Sequence, residues 1–184
     1  MSVKEYEMKF LVSRNDFQKS LRMLQTQFPQ ASIIHKEQVN YYYDTDNFDL
    51  SDQNITLRVR QIENSFMLQE KQHNKDNVLI SEETEKQLSS LPFSVVWRNK
   101  VAELQGRMKT LRTSIWVDER IKVDFDENHY LGVCDYEVEI EFQPEIRLQA
   151  EKLAVALGLH HPNTVRKSTR FFRARERRRQ HAEI

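Results

Sequence analysis

The stretch Asp135-Tyr136-Glu137-Val138-Glu139-Ile140-Glu141-Phe142 alternates acidic and apolar residues without a break. A helix would scatter those carboxylates around its circumference, whereas a strand puts every second side chain on one face. The chain is thereby committed to a sheet with one apolar and one densely charged face. The alternation returns elsewhere. Glu5, Glu7 and Lys9 alternate with Tyr6, Met8 and Phe10, and Lys122, Asp124 and Asp126 with Ile121, Val123 and Phe125. Arg58 and Arg60 share a face with Thr56, opposite Leu57 and Val59. One such strand is an ordinary solvated edge; several along one chain call for a common explanation.

Patterning predicts eight strands, at 3–12, 37–45, 55–62, 66–71, 78–84, 107–117, 120–127 and 130–142. Aromatic and β-branched residues mark them, and Glu63-Asn64 reads as a hairpin turn between the third and fourth. In the fourth, Gln69 and Lys71 share one face, Leu68 and Glu70 the other. Ser13 is an N-cap with Asp16 three residues on, and Phe17, Leu21, Leu24 and Phe28 follow at helical spacing. Leu88, Leu91, Val95, Val96, Val101 and Leu104 predict a helix over 85–105, interrupted at Pro92, with Trp97 in the core. A further amphipathic helix spans 145–157 and ends at Gly158. The last segment is basic, from Arg166, Lys167 and Arg170 through Arg173 to Arg179.

Eight strands with short connections close most economically into an antiparallel barrel, which leaves no open edge. The two-faced strands require that barrel to be turned inside out, apolar outside beneath helices and charged within. The expectation is an α+β fold, one domain over residues 1–184, built on an eight-stranded antiparallel tunnel with a charged lumen. Apolar residues make up 39% of the chain, below the usual ~45–50%, as a polar lumen demands.

Composition narrows the function. Net charge is zero, so no global field draws the chain to nucleic acid or to a membrane. No apolar run is long enough to span a bilayer, and the N-terminus lacks a signal-peptide core. A lone cysteine, Cys134, rules out an internal disulfide and suits a reducing cytoplasm. Gly-rich phosphate loops, dinucleotide fingerprints and zinc-ligand spacings are absent from the sequence. The alternating faces carry carboxylates at Glu5, Glu7, Glu137, Glu139 and Glu141, and cations at Lys9, Arg58, Arg60, Lys71 and Lys122. Crowded carboxylates need a counter-charge. A hard divalent cation such as Mg²⁺ or Mn²⁺ supplies it through oxygen ligands. Clustered Lys and Arg in turn call for a dense anion. A polyphosphate with bound metal satisfies both sets; the alternative is a lumen of buried ion pairs, which is costly.

The motifs, in order, resemble the CYTH domain, or triphosphate tunnel metalloenzyme, superfamily. Glu5-x-Glu7-x-Lys9 is similar to its N-terminal signature, Tyr42-Tyr43-Asp44-Thr45 to its second strand, and Leu57-Arg58-Val59-Arg60 to its LRxR strand. Lys71, Arg112, Asp124, Tyr136-Glu137-Val138-Glu139 and Lys167-Ser168-Thr169-Arg170 continue the match. The resemblance spans nearly the whole chain and is greatest to small single-domain bacterial members from Firmicutes. It implies that Glu5, Glu7, Glu137 and Glu139 carry metal and catalysis. It also implies that Lys9, Arg58, Arg60, Lys71, Arg112, Lys167 and Arg170 bind substrate phosphates. Implied activities are hydrolysis of tripolyphosphate or of nucleoside or thiamine triphosphate, or the class IV adenylate cyclase reaction; a non-catalytic polyphosphate-binding module is the third alternative. The partner is a small triphosphate rather than nucleic acid or membrane, and the protein a monomer or homodimer. Two departures stand out: Ser81 where the family carries arginine, and Gln69-Glu70-Lys71 where Thr-Leu-Lys is usual.

Overall fold

The protein is described from a computed structural model covering residues 3–182 apart from Lys75, Val78 and Thr164. Its strands are β1 (Val3–Val12), β2 (Ser32–Asp44), β3 (Ile55–Ile62), β4 (Ser65–His73) and β5 (Ile80–Leu88), then β6 (Ser94–Trp97), β7 (Lys100–Trp116), β8 (Ile121–Tyr130) and β9 (Val133–Phe142). The helices are α1 (Arg14–Gln27), α2 (Asp49–Asp52), α3 (Arg147–Ala156) and α4 (Lys167–Ala182). The sheet runs β2-β3-β4-β5-β1-β9-β8-β7-β6, and β2 also pairs with β7. That pairing closes eight strands into the expected antiparallel barrel, with β6 a short ninth strand hung on β7 outside the ring.

The outer face is apolar and covered. Met8 and Phe10 of β1, Val123 and Phe125 of β8, and Val138 and Ile140 of β9 pack against Phe17 and Leu24 of α1 and Leu153 of α3. Phe17 meets Phe125 edge-on at 5.6 Å, a favoured aromatic geometry. Ser13 caps α1 as expected, its Oγ accepting from the Asp16 amide at 3.1 Å. A second cluster of Tyr43, Leu50, Leu57, Val59, Trp97 and Ala102 seals the other side of the ring.

The expected helix over 85–105 does not form. That region is the end of β5, a short loop, the β6–β7 hairpin and the first turn-free stretch of β7. The reason lies in the turn: Arg98 and Asn99 both take positive φ, 43° and 66°, the conformation of a tight two-residue hairpin. Val95, Trp97, Ala102 and Leu104 then fall on one pleated face and join the second cluster. A handful of apolar positions fitted both periods, and the β-branched Val95, Val96 and Val101 tip the balance to strand. Elsewhere β2 and β7 run longer than predicted, and β5 starts at Ile80. Val78, assigned from sequence to that strand, lies outside the described residues. No helix among the described residues is long and apolar enough to cross a membrane.

Candidate active site

The inner face of the ring collects the charged positions. Glu5, Glu7, Lys9, Arg58, Arg60, Lys71, Arg112, Glu139 and Lys167 all line one cavity, joined by Gln38, Tyr42, Thr56, His73, Glu83, Glu141, Arg166 and Ser168. One end of the tunnel is stoppered by α4. Phe171 and Ala174 pack there against Tyr42, Met108 and Tyr130. Gly106 makes room for this plug: a Cβ at that position would stand 2.7 Å from the Phe171 ring, and its φ of +143° itself favours glycine. The first turn of α4 thereby carries Lys167 and Arg170 into the lumen.

Register decides which carboxylates meet. Glu7 lies opposite Glu141 and Lys9 opposite Glu139, while Glu137 lies opposite Leu11, one inward position deeper. Carboxylate oxygens of Glu7, Glu139 and Glu141 accordingly come within 4.8 Å of one another. Of the quartet implied by the resemblance, Glu7 and Glu139 lie in this group with Glu141, while Glu5 and Glu137 stand on the same inner face outside it. Glu137 is instead committed to cations, with Lys167 at 2.8 Å and Arg170 at 2.5 Å. Glu5, whose side chain is 34% exposed, accepts from Lys71 at 2.6 Å.

The cations divide into two kinds. Arg112 donates to Asp126 and, at 2.7 Å each, to Asp124 and Glu139. Lys167 is held by Asp126, Glu137 and Glu139 within 2.9 Å, and Arg170 by Asp135 and Glu137. These three are bound into the lumen wall. Lys71 bridges Glu5 and Glu7, and Lys9 lies 2.8 Å from Glu7. Arg58 reaches Glu83 only at 3.6 Å and donates to Gln69 at 2.8 Å. Arg60 and Arg166 have no carboxylate partner among the described residues: Arg60 donates to Asn40 at 3.1 Å and Arg166 to Asn54 at 3.1 Å. Burial, then repulsion from Arg58 and Arg112, pulls Arg60 down to about 10, and burial lowers Arg166 as well.

The acids respond in opposite directions. Burial opposes ionisation of Glu139, but Lys167, Arg112 and Lys9 together hold it well below the usual carboxylate range. Glu7 is likewise held down, Lys9 and Lys71 outweighing burial. Glu141 goes the other way: burial pushes it up to about 7, against the pull of Lys122 2.6 Å away and with Asp124 adding to the rise. Glu137 is raised by burial and by Glu139 beside it. Buried side-chain atoms left without a partner, Gln38 Nε2, Asn40 Nδ2 and Ser81 Oγ among them, sit on the same inner face. Unpaired polar groups of this kind cost free energy in a closed core and mark a lumen built to receive something.

Sequence reasoning placed the inner-facing residues correctly and missed three features. Arg166 was visible only as part of a basic segment, because its position depends on how the chain enters α4. Glu83 was assigned to a strand but not to the lumen. Glu141 was recognised as inward, yet its proximity to Glu7 follows from the β1–β9 register, which no local pattern encodes.

A model of the CYTH domain matches residues 3–172. Among solved structures, a candidate adenylate cyclase from Bacillus halodurans aligns at 25% identity with a TM-score of 0.73, covering 93% of this chain and 98% of that one. A candidate adenylyl cyclase from Hippeastrum, described as having a dominant triphosphatase activity, aligns at 21% identity and TM-score 0.69 over 92% and 95% of the two chains. The Mimivirus capping enzyme triphosphatase shares the fold at 12% identity and TM-score 0.57, over 84% and 89%. No curated protein matches the chain in sequence. With its family model spanning almost the entire inside-out barrel, the chain belongs to the CYTH-domain family.

Proposed function

We propose that the protein is a divalent-metal-dependent hydrolase of tripolyphosphate or of a related nucleoside or thiamine triphosphate. The observation that carries this reading is the division of the lumen: a three-carboxylate cluster on β1 and β9 shares it with Arg60 on β3 and Arg166 before α4, which have no carboxylate partner among the described residues. Glu7, Glu139 and Glu141 offer hard oxygen ligands at a spacing that fits Mg²⁺ or Mn²⁺. Such an ion, when bound, polarises a phosphoryl oxygen and lowers the pKa of a coordinated water.

The chain's own residues do the rest. Arg58 and Arg60 are successive inward positions, about 7 Å apart along β3, a spacing that suits neighbouring phosphates. Arg60 and Arg166 hold anions as forks, with only a neutral amide each, and no carboxylate among the described residues, to give up. Lys9 and Lys71 sit on the carboxylates in the absence of ligand, and the open space in the lumen is only about 60 Å³, room for a few waters. Substrate entry would therefore move the Lys9 and Lys71 ammonium groups from carboxylate to phosphate, leaving Glu7 free to hold a metal ion. Arg112, Lys167 and Arg170, paired with lumen acids, brace the wall, and Arg112 and Lys167 fix Glu139. Lumen residues that neutralise charge on the transferring and leaving phosphates in a water-poor tunnel lower the barrier by preorganised electrostatics.

A second cavity, of about 660 Å³, opens between α2, the start of β3 and α4, and shares Thr56, Arg166 and Ser168 with the tunnel. It favours a substrate with an organic group on its terminal phosphate, and it keeps the cyclase alternative, which needs a nucleoside pocket, in view. Ser81 favours the third alternative, a binding module without turnover. A cytoplasmic site of action belongs to the same reading. The test incubates the protein with tripolyphosphate, ATP or thiamine triphosphate, with Mg²⁺ or Mn²⁺, and resolves orthophosphate, pyrophosphate and cyclic AMP. Metal-dependent orthophosphate release supports the hydrolase; cyclic AMP with pyrophosphate replaces it with the cyclase; binding without products replaces it with the module.

A further inference from the structure

Outside the tunnel, a second group of metal-ligating side chains stands at the tip of the β8–β9 hairpin. His129 lies directly opposite Cys134, and Glu127 is one outward position back along β8, opposite Tyr136. A ligand atom from each of Glu127, His129 and Cys134 falls within 4.8 Å of the other two. His129 Nε2 is already 2.8 Å from Glu127 Oε1, and Cys134 is exposed to solvent.

The scaffold beneath is firm. Leu131 and Gly132 turn the hairpin at φ 49° and 82°, the paired left-handed conformation of a tight two-residue turn, so the strands cannot slip past one another. On the inner face of the same rungs Asn128 donates to Asp135 at 3.0 Å and Tyr130 at 2.7 Å, and Arg170 of α4 closes on the same carboxylate at 2.9 Å. The three outer side chains thus project from a backbone held on its other side.

We propose that Glu127, His129 and Cys134 form a second metal site, for a thiolate-accepting divalent ion of the zinc type, separate from the tunnel carboxylates. One sulfur, one imidazole nitrogen and one carboxylate oxygen are the donors that borderline-soft ions take, and they are a poor set for Mg²⁺. In a tetrahedral zinc site the ligand atoms stand roughly 3.3–3.7 Å apart, so the set closes around an ion by small side-chain rotations. His129 and Glu127 move slightly apart, Cys134 moves in, and the fourth position stays open to water. A bound ion would tie β8 to β9 at the rung beside Asp135, the residue that grips α4.

The experiment titrates reduced, metal-free protein with Co²⁺ and follows its absorption. Because Cys134 is the chain's one cysteine, a thiolate-to-cobalt charge-transfer band reports this site and no other within the chain. The expected result is a band that saturates at about one equivalent, is displaced by Zn²⁺ and persists in excess Mg²⁺. Cys134→Ser should abolish the band. His129→Ala should weaken binding by more than the roughly 10–100-fold that loss of an outer-shell partner causes. Absence of the band in wild type, its survival in Cys134→Ser, or unchanged affinity in His129→Ala would overturn the proposal. So would saturation at half an equivalent, which means an ion shared between two chains. None of these readouts involves triphosphate turnover, so this site and the proposed hydrolase stand or fall separately.

Discussion

Arg60 offers the sharpest separation between a lumen that binds phosphate and one that merely pairs its own charges. It is a half-buried cation whose hydrogen bond goes to a neutral amide, that of Asn40. Burial, with Arg58 and Arg112 nearby, brings it from 12.5 to about 10. A depression of that size corresponds to roughly 3 kcal/mol of folding free energy lost to holding the charge. Both values lie above neutral pH, so the penalty is fully present at pH 7. It fades only as pH rises from about 10 towards 12.5, where the unfolded chain binds the proton and the folded one does not. Arg60→Met removes the charge and also strands the Asn40 oxygen, at about 1–3 kcal/mol. The net is between about zero and 2 kcal/mol in favour of the variant. At about 2–4 °C per kcal/mol for a chain of this size, the ligand-free Tm holds or rises by a few degrees. Loss of a charge-assisted bond worth about 1.5–3 kcal/mol should at the same time weaken tripolyphosphate binding by roughly ten- to a hundredfold. The ligand-induced rise in Tm that mass action gives the wild type should shrink accordingly. Arg112→Met is the control: it takes one cation from each of Asp124, Asp126 and Glu139, leaving them to Lys122 and Lys167, and should cost about 3–5 kcal/mol without ligand. The assay is thermal melting of the three proteins with and without tripolyphosphate and Mg²⁺. A fall of more than about 5 °C in ligand-free Arg60→Met, with the ligand-induced shift intact, would refute the reasoning.

Glu7→Gln and Glu141→Gln should lose metal-dependent turnover and the Mn²⁺-induced rise in Tm, whereas Glu137→Gln should keep the metal-induced rise; full turnover in the first two would remove them from metal binding. His73, pushed down to about 2 by burial and then by Arg166, stays neutral in the fold. The unfolded chain takes up its proton first, so wild-type stability declines as pH falls from about 6.5 towards 2. His73→Gln should flatten that acid limb in denaturant melts run across the range, and an unchanged slope would contradict the assignment. Gly106→Ala drives a methyl into Phe171 at 2.7 Å and should destabilise by about 1–3 kcal/mol, partly relieved in the double variant with Phe171→Leu; equal losses in the single and double variants would show that the plug is not the cause.

The barrel was legible because its strands are two-faced. Residues 133–142 and 3–12 fix strand identity and inward face by alternation alone, although the strand expected over 130–142 begins only after the Leu131-Gly132 turn, and closure follows from the need to hide the two edges of an open sheet. The candidate site was legible to the same depth: Glu5, Glu7, Lys9, Arg58, Arg60, Lys71 and Glu139 all reach the lumen, as alternation requires. What escaped was whatever depends on pairing across the sheet. The β1–β9 register, with Glu7 against Glu141, brings a further carboxylate beside Glu7 and Glu139, and no local motif encodes it. The misread helix over 85–105 has the same origin. Leu88, Leu91 and Val95 satisfy a helical period, but Arg98-Asn99 turns and the covering of Tyr43 and Leu57 reward a strand.

The order of the ring has a consequence for how the chain is made. β1 pairs briefly with β5, from Val3↔Glu83 to Tyr6↔Ile80, and then along its remaining length with β9, from Glu7↔Glu141 to Val12↔Tyr136. β1 is thus synthesised long before β9, its principal neighbour in the ring. At about 5–20 residues per second that delay is on the order of ten seconds. Through that interval α1 can cover Met8 and Phe10, but the rungs from Glu7 onward present an open edge. Such non-local closure makes folding slow, and the nascent protein is most exposed to aggregation, and most dependent on a chaperone, before β9 is synthesised.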